Sequence, residues 1–271
     1  MVWLHLFVEQ YALFCLIGVV VGVLSGLLGI GGGIVLVPML HAILLAKGFS
    51  ADIAFHMALA TSMACIVFTS MSSITAHHKN CNIVWSYVWA MVPMAFIGSL
   101  LATLVAIHLD GFYLTLFFAI FLLFAATQLF LDRKPVQHKV PGKAEVSLVS
   151  LLIGGISALV SIGGGTLTVP YLTMRNVSVK QAIGTSAVLG FPIALASTVS
   201  YLQDAVRQAA HAPDTVGLLY LPAIMLITPL SVLFAPAGVA LTRRLPVKVL
   251  KRTFSLFLVG VSVHLLWSQF V

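Results

Sequence analysis

Gly29-Ile30-Gly31-Gly32-Gly33-Ile34-Val35-Leu36-Val37-Pro38 and Ser161-Ile162-Gly163-Gly164-Gly165-Thr166-Leu167-Thr168-Val169-Pro170 are two copies of one pattern, set 132 residues apart. Each lies inside an apolar stretch long enough to enter a bilayer. Three consecutive glycines there leave backbone amides without partners at a depth where no water can replace them. Such a defect persists where something binds it. Each copy ends in proline, which favours the first helical position because its missing amide would be unpaired there anyway. Pro38 and Pro170 are therefore read as the starts of the second limb of each break. Residues 31–37 and 163–169 are then expected to be non-helical, with free amides near the positive end of a short helix, an arrangement suited to an anion. The competing reading is that the glycines only let helices pack closely; duplication and the following proline favour a functional break.

Composition sets the solvent. Hydrophobic residues make up 61% of the chain and charged residues 8%, and the mean hydropathy is +1.12, which defines a polytopic membrane protein. The seven acidic residues, Glu9, Asp52, Asp110, Asp132, Glu145, Asp204 and Asp214, all sit at the ends of apolar runs or between them. With no carboxylate in mid-membrane, a cation pump or a carboxylate-built sodium site is disfavoured. The net charge of +7 does not mark a nucleic-acid binder, because Arg243, Arg244, Lys248, Lys251 and Arg252 lie between two apolar runs as juxtamembrane cations. The first apolar run has no preceding Lys or Arg and no small-residue cleavage site, so it is expected to stay in the mature chain. Cys15, Cys65 and Cys81 form no disulfide or metal framework. His41, His56 and His264 read as packed or interfacial residues that could also relay protons, and the pair His77-His78 as the solvated face of a short loop. No metal or cofactor is expected. The glycine runs are not followed by Lys-Ser or Lys-Thr, and nothing resembles a hydrolase constellation, so the chain is not read as an enzyme.

With about 20 apolar residues as the template for a span, candidates fall at 11–46 (broken), 57–76, 84–109 and 111–131, then at 146–174 (broken), 182–202, 216–241 and 249–271. The fold class is all-α, with an N-terminal membrane repeat over 1–131, a basic cytoplasmic linker over 132–146 and a C-terminal membrane repeat over 147–271. Ala60-Thr61-Ser62 also recurs as Gly184-Thr185-Ser186, at an offset of 124. Repeated halves with Gly- or Pro-interrupted segments at matching positions are how many transporters build a central site. If every segment crosses, the fourteen Lys and Arg residues divide six to eight between the two sides. If each glycine-broken segment dips in and returns, twelve of the fourteen share one side and only Lys47 and Arg207 lie opposite. That re-entrant arrangement obeys the positive-inside rule. It also leaves three true crossings per half, which makes the halves inverted copies with both termini facing away from the cytoplasm. Length opposes it in part, since residues 11–30 make about 30 Å of helix, a whole membrane thickness.

The hydroxyl pairs Thr61-Ser62 and Thr185-Ser186 can donate to an oxyanion without adding fixed charge, although such residues also bond their own helix backbone. Thr166 and Thr168 add hydroxyls to the second copy alone. The two GIGGG-type breaks ending in Val-Pro, at Gly29, Gly31, Gly32, Gly33 and Pro38 and at Gly163, Gly164, Gly165 and Pro170, with Thr185-Ser186 in support, resemble the sulfite exporter TauE/SafE-like family of TSUP transporters. Ser161 stands where the first copy has Gly29. The resemblance implies a multi-pass carrier of the cytoplasmic (inner) membrane for small anions such as sulfite or sulfoacetate. The expected site joins the amides of Gly31, Gly32, Gly33, Gly163, Gly164 and Gly165 to the hydroxyls of Thr61, Ser62, Thr166, Thr185 and Ser186. The expected partners are the small anion and the lipid bilayer, with homo-oligomerisation left open. An anion channel with the same backbone-lined site is the alternative.

Overall fold

In hydrocarbon only a helix or a closed barrel satisfies its own backbone, and a chain this apolar with no strand alternation takes the first solution. The computed structural model describes residues 2–29, 31–131, 142–205, 214–241 and 247–270. Of the positions weighed in the sequence, Ile30, Asp132, Arg133, Lys134, Lys139, Arg207, Arg243 and Arg244 lie outside the described residues. In the first half the helices are α1 (Val2–Leu28), α2 (Gly33–Ala46), α3 (Ala51–Lys79), α4 (Trp85–Ala106) and α5 (Gly111–Leu131). The second half follows with α6 (Lys143–Leu159), α7 (Gly165–Met174), α8 (Val179–Ala205), α9 (Leu221–Leu241) and α10 (Val247–Phe270). A small antiparallel hairpin, β1 (Thr215–Val216) and β2 (Leu219–Tyr220), precedes α9, so the expected segment at 216 opens with a turn before its helix. Helix α6 begins at Lys143, so the end of the expected linker is already helical. Among the described residues five helices, α3, α4, α5, α8 and α9, are long and apolar enough to cross a membrane.

Helices α3 and α8 form the centre. Their apolar windows are 83% and 78% buried, against 28–44% for α4, α5 and α9. The outer helices instead carry large exposed apolar side chains, among them Trp89, Leu104, Met225 and Leu233; this is an exterior built for lipid, since soluble monomers rarely expose so much contiguous apolar surface.

Small residues bring the outer helices together. Gly18, Gly22 and Gly26 of α1 lie against the backbone of α9 at Ile227, Ser231 and Ala235, and a Cβ on Gly22 would stand 2.5 Å from the Ser231 carbonyl oxygen. The second half repeats this where Gly154 of α6 meets Ala95 of α4 and Gly98 of α4 meets Leu151 of α6. Four-residue spacing places such residues on one helix face, and their lack of bulk is what lets two backbones approach.

Registers fix the helix directions. Residues 18, 22 and 26 of α1 meet 227, 231 and 235 of α9 in the same order, so α1 and α9 run parallel. Thr61 bonds Tyr220 and Thr69 bonds Ser231, so α3 also runs parallel to α9. Thr185 bonds Val84 and Ser197 bonds Thr103, so α8 runs parallel to α4. Between the central helices the order reverses. Asn82, just past α3, packs on Gly184 near the start of α8, while Ser70 and Ser73 share a seam with Ala187 and Gly190. Helices α5 and α10 are likewise antiparallel, joined by Ser255 donating to the Ala126 carbonyl (2.8 Å) and Ser262 to that of Ala119 (2.9 Å).

Candidate functional site

Both glycine runs interrupt the helices, but the second limbs start earlier than the prolines suggest. Helix α2 begins at Gly33 and α7 at Gly165, with Pro38 and Pro170 in their interiors. This corrects the expected helix starts, and among the described residues it shortens the non-helical stretches to 29, 31 and 32 and to 160–164. The cause is local backbone: Gly32 (φ 76°) and Gly164 (φ 78°) take the left-handed conformation that only glycine adopts freely, and right-handed helix resumes at the next residue. Proline five residues on removes one amide from the helix ladder, a loss that membrane helices tolerate.

Near the end of α1, the Gly29 amide still bonds the Ser25 carbonyl (2.9 Å), and Ile162 bonds Ser157 in the same way (2.9 Å). Beyond these, the amides of Gly31, Gly32, Gly33, Gly163 and Gly165 have no backbone acceptor among the described residues. All five glycines, with Gly164, are buried. The breaks meet each other: a Cβ on Gly31 would lie 3.2 Å from the Gly163 Cα, and one on Gly33 would overlap the Ser161 carbonyl oxygen. The Gly163 carbonyl faces Gly190 of α8, where a Cβ would stand 2.8 Å away. Each break also rests on the central helix of the other half. Ser161 donates its hydroxyl to the Leu59 carbonyl of α3 (3.1 Å), and Gly29 packs against Ile183 and Ser186 of α8.

The hydroxyl pairs divide their work. The Thr61 hydroxyl oxygen accepts from the Tyr220 amide and that of Thr185 from the Val84 amide, both at 3.0 Å, so each threonine holds the entrance of the other half's outer helix. Ser186 donates to the Ile183 carbonyl (2.8 Å). Ser62 and Thr166, by contrast, carry buried hydroxyls with no partner among the described residues. Sequence reasoning did not place Ser157 at the site. Its hydroxyl and that of Thr168 are buried and unpartnered, and both stand close to the position a Cβ would take on Gly164. The signal for Ser157 was its place at the same offset from the second break as Ser25 from the first. Because Thr61 accepts a buried amide, Thr61→Val should strand the Tyr220 amide at a cost of about 1–3 kcal/mol. A lowered midpoint of thermal unfolding in detergent, restored by Thr61→Ser, checks this.

The histidines differ from expectation in one case. His77 belongs to the last turn of α3, not to a solvated loop, and is 1% exposed, with Nε2 donating to the Gly26 carbonyl (3.2 Å). His78 is exposed and stacks edge-on against Trp85. His41 packs edge-on against Phe55, His56 lies between the carbonyls of Asp52 and Ala106, and His264 is exposed.

Crossing helices with a lipid-facing exterior, wrapped around two broken segments that meet inside, define a multi-pass membrane protein with an internal polar site. The description of the sulfite exporter TauE/SafE family matches residues 14–265, and the chain belongs to that family. By that membership it is a membrane transporter and not an enzyme. It is 35% identical over 258 residues to a probable membrane transporter protein of Haemophilus influenzae, covering 94% of this chain and 98% of the relative. A probable membrane transporter protein of Methanocaldococcus jannaschii is 28% identical over 195 residues, covering 70% and 72%. One from Xylella fastidiosa is 24% identical over 262 residues, covering 93% of each chain. No solved structure matches.

Proposed function

We propose that the chain is a secondary transporter of the cytoplasmic membrane, carrying a small sulfur oxyanion or organosulfonate of the sulfite or sulfoacetate type by alternating access. The observation that carries this reading is the meeting of the two breaks. Amides at the starts of α2 and α7 that lack a backbone acceptor among the described residues meet there, and the buried hydroxyls of Ser157 and Thr168 stand beside Gly164. Ser62 and Thr166 carry further buried hydroxyls, and all four are unpartnered among the described residues. Such donors lower the energy of an oxyanion while leaving no fixed cation to trap it. The cavity that Gly29 and Gly31 share with Gly163 and Gly190 leaves no room for a water molecule among the described residues. A closed seam favours a carrier that must rearrange over a standing pore.

Alternating access further requires two halves that can exchange roles. The antiparallel course of α3 against α8 and of α5 against α10 supports an inverted repeat, as does the parallel pairing of α9 with α3 and of α4 with α8. So does the path of the broken segments. Helix α1 runs far enough for Gly26 to reach His77 in the last turn of α3, and α2 then runs back along α3, with Gly33 near Ile66 and His41 on Phe55. The ion pair of Arg175, at the end of α7, with Glu145, in the first turn of α6, closes the second re-entrant segment onto its own side.

The experiment is a thermal-shift screen of the purified protein against sulfur and carbon oxyanions, followed by flux in proteoliposomes. Sulfite or sulfoacetate at a hundredfold excess over its dissociation constant should stabilise the fold by about 2.7 kcal/mol, and radiolabelled flux should saturate. Gly32→Leu drives a side chain into Val21 and Gly164→Leu into Ile193, each at a left-handed φ, so both should abolish flux. Rates matching the wild type would sink the site assignment, and flux that never saturates would favour a channel.

A further inference from the structure

The first-half end of the site holds a group that the anion reading has not used. Five residues of that end line the seam between the breaks: Ser25 of α1, Gly29 and Gly31, and Ser70 and Ser73 of α3. The Ser73 hydroxyl is buried and has no partner among the described residues. One helical turn further along the same face of α3 stands His77. Its Nε2 donates to the carbonyl of Gly26, the neighbour of Ser25, and this fixes the tautomer: Nδ1 is left as the bare acceptor nitrogen. Nδ1 is buried and has no partner among the described residues. The ring thus stands one turn beyond Ser73 and is tied to the residue after Ser25, with one nitrogen anchored and the other idle among the described residues.

Resting on the anion reading above, we propose that His77 is the proton carrier of this transporter, so that the cargo crosses as an anion together with one proton. The chemistry is a simple balance. Nδ1 takes a proton from the aqueous side as the anion enters, giving an imidazolium whose Nε2 bond to Gly26 is unchanged. It returns that proton on the other side as the anion leaves. Neither half-step is favourable alone. A lone imidazolium buried among apolar helices is costly, and so is a lone anion; together each supplies the other's counter-charge.

The surroundings offer no substitute. On its own helix His77 is followed by His78 and Lys79, both exposed. The following turn adds the exposed Cys81, and helix α1 brings only Cys15 and Tyr11 from its described side chains. Helix α8 brings the exposed Lys180 in its first turn and the buried Tyr201 near its far end, and α9 has no titratable residue from Leu221 to Leu241. Of the carboxylates with described side chains, Asp52 lies at the opposite end of α3 with Gly111, the neighbour of Asp110, packed on it. Asp214 precedes β1, and Glu145 is engaged by Arg175. Among the described residues a protonated His77 therefore has no carboxylate partner, and its anion is supplied from outside the protein.

The test uses wild-type protein in liposomes that entrap a pH-sensitive dye, with radiolabelled sulfoacetate, which has no titrating group near neutral pH, and sulfite as the anions. Net uptake should carry roughly one proton per sulfoacetate, and an imposed proton gradient should drive accumulation. In His77→Gln, which can still donate to Gly26 but cannot hold the proton, self-exchange should be slower, insensitive to pH, and net uptake should carry no proton. The proton-to-anion ratio does not depend on how much protein folds, and Ser73→Ala, expected to slow exchange while keeping the ratio, separates loss of anion contact from loss of coupling. Wild-type uptake without protons, or His77→Gln with the wild-type ratio, overturns the assignment of His77. Failure of both anions to exchange in the wild type overturns the anion reading itself.

Discussion

Gly33→Ala should abolish transport and unfold the protein at a markedly lower temperature, although it adds a single methyl group. The new Cβ would overlap the carbonyl oxygen of Ser161 and approach Cδ1 of Ile66 at 3.0 Å. Both backbones are pinned. Gly33 opens α2 directly after the left-handed Gly32, and Ser161 is tied to α3 through its hydroxyl on Leu59. Overpacking in a fixed core costs about 1–3 kcal/mol, and a backbone collision between two constrained loops belongs at the top of that range. The functional loss should be larger than the stability loss, because the only relief is to separate the two breaks, which moves the amides out of register with each other. Gly260→Ala is the control, since nothing lies within 4 Å of a Cβ there. Thermal unfolding and flux on the same preparations check the pair; wild-type flux in Gly33→Ala would show that the breaks do not act as a close-packed unit.

The same collision explains what the sequence could and could not reveal. Glycine runs are local signals, so the all-helical membrane fold and the interruptions at Gly31 and Gly163 were legible. The helix starts were misplaced because the preference of proline for the first turn is weaker than the backbone constraint at Gly32 and Gly164, and a left-handed φ leaves no separate mark in a run of identical glycines. Thr61 and Thr185 were selected as ligand donors, yet their hydroxyl oxygens accept the amides of Tyr220 and Val84, residues far away in the chain. That pairing exists only in three dimensions.

His77 was misplaced for a different reason. Two histidines and a lysine look like a polar loop, but the helix of α3 runs through them, and one face of its last turn is covered by Gly26. A sharper reading was available from Gly18, Gly22 and Gly26. Their four-residue spacing marks α1 as a close-packed helix, held against α9, and a buried helix of that kind is where a histidine on a neighbouring helix can find a carbonyl to bond.

The sidedness of the loops should prove all-or-none. A membrane-impermeant maleimide should label Cys81, which is exposed, from the cytoplasmic face only. In a Cys81→Ser background, Lys180→Cys should label from that same face and Lys47→Cys from the opposite one. All three positions are exposed, so accessibility reports the side and not the depth. Cys81 and Lys180 decide between the two topologies. If every apolar segment crossed once, the turn after α3 and the turn between α7 and α8 would lie on opposite faces; if both broken segments return, they share one. The structure favours sharing on grounds independent of charge. Asn82 packs on Gly184, and Val84 bonds Thr185, so the turn after α3 sits beside the start of α8. A turn in direct contact with the first turns of α8 cannot be separated from them by a membrane. A shared face would hold Lys79, Arg175 and Lys180 together, and the attraction of such cations to the cytoplasmic side is what the labelling should report. Labelling of Cys81 and Lys180→Cys from opposite faces would break the inverted-repeat reading and, with it, the pairing of the two glycine breaks as halves of one site.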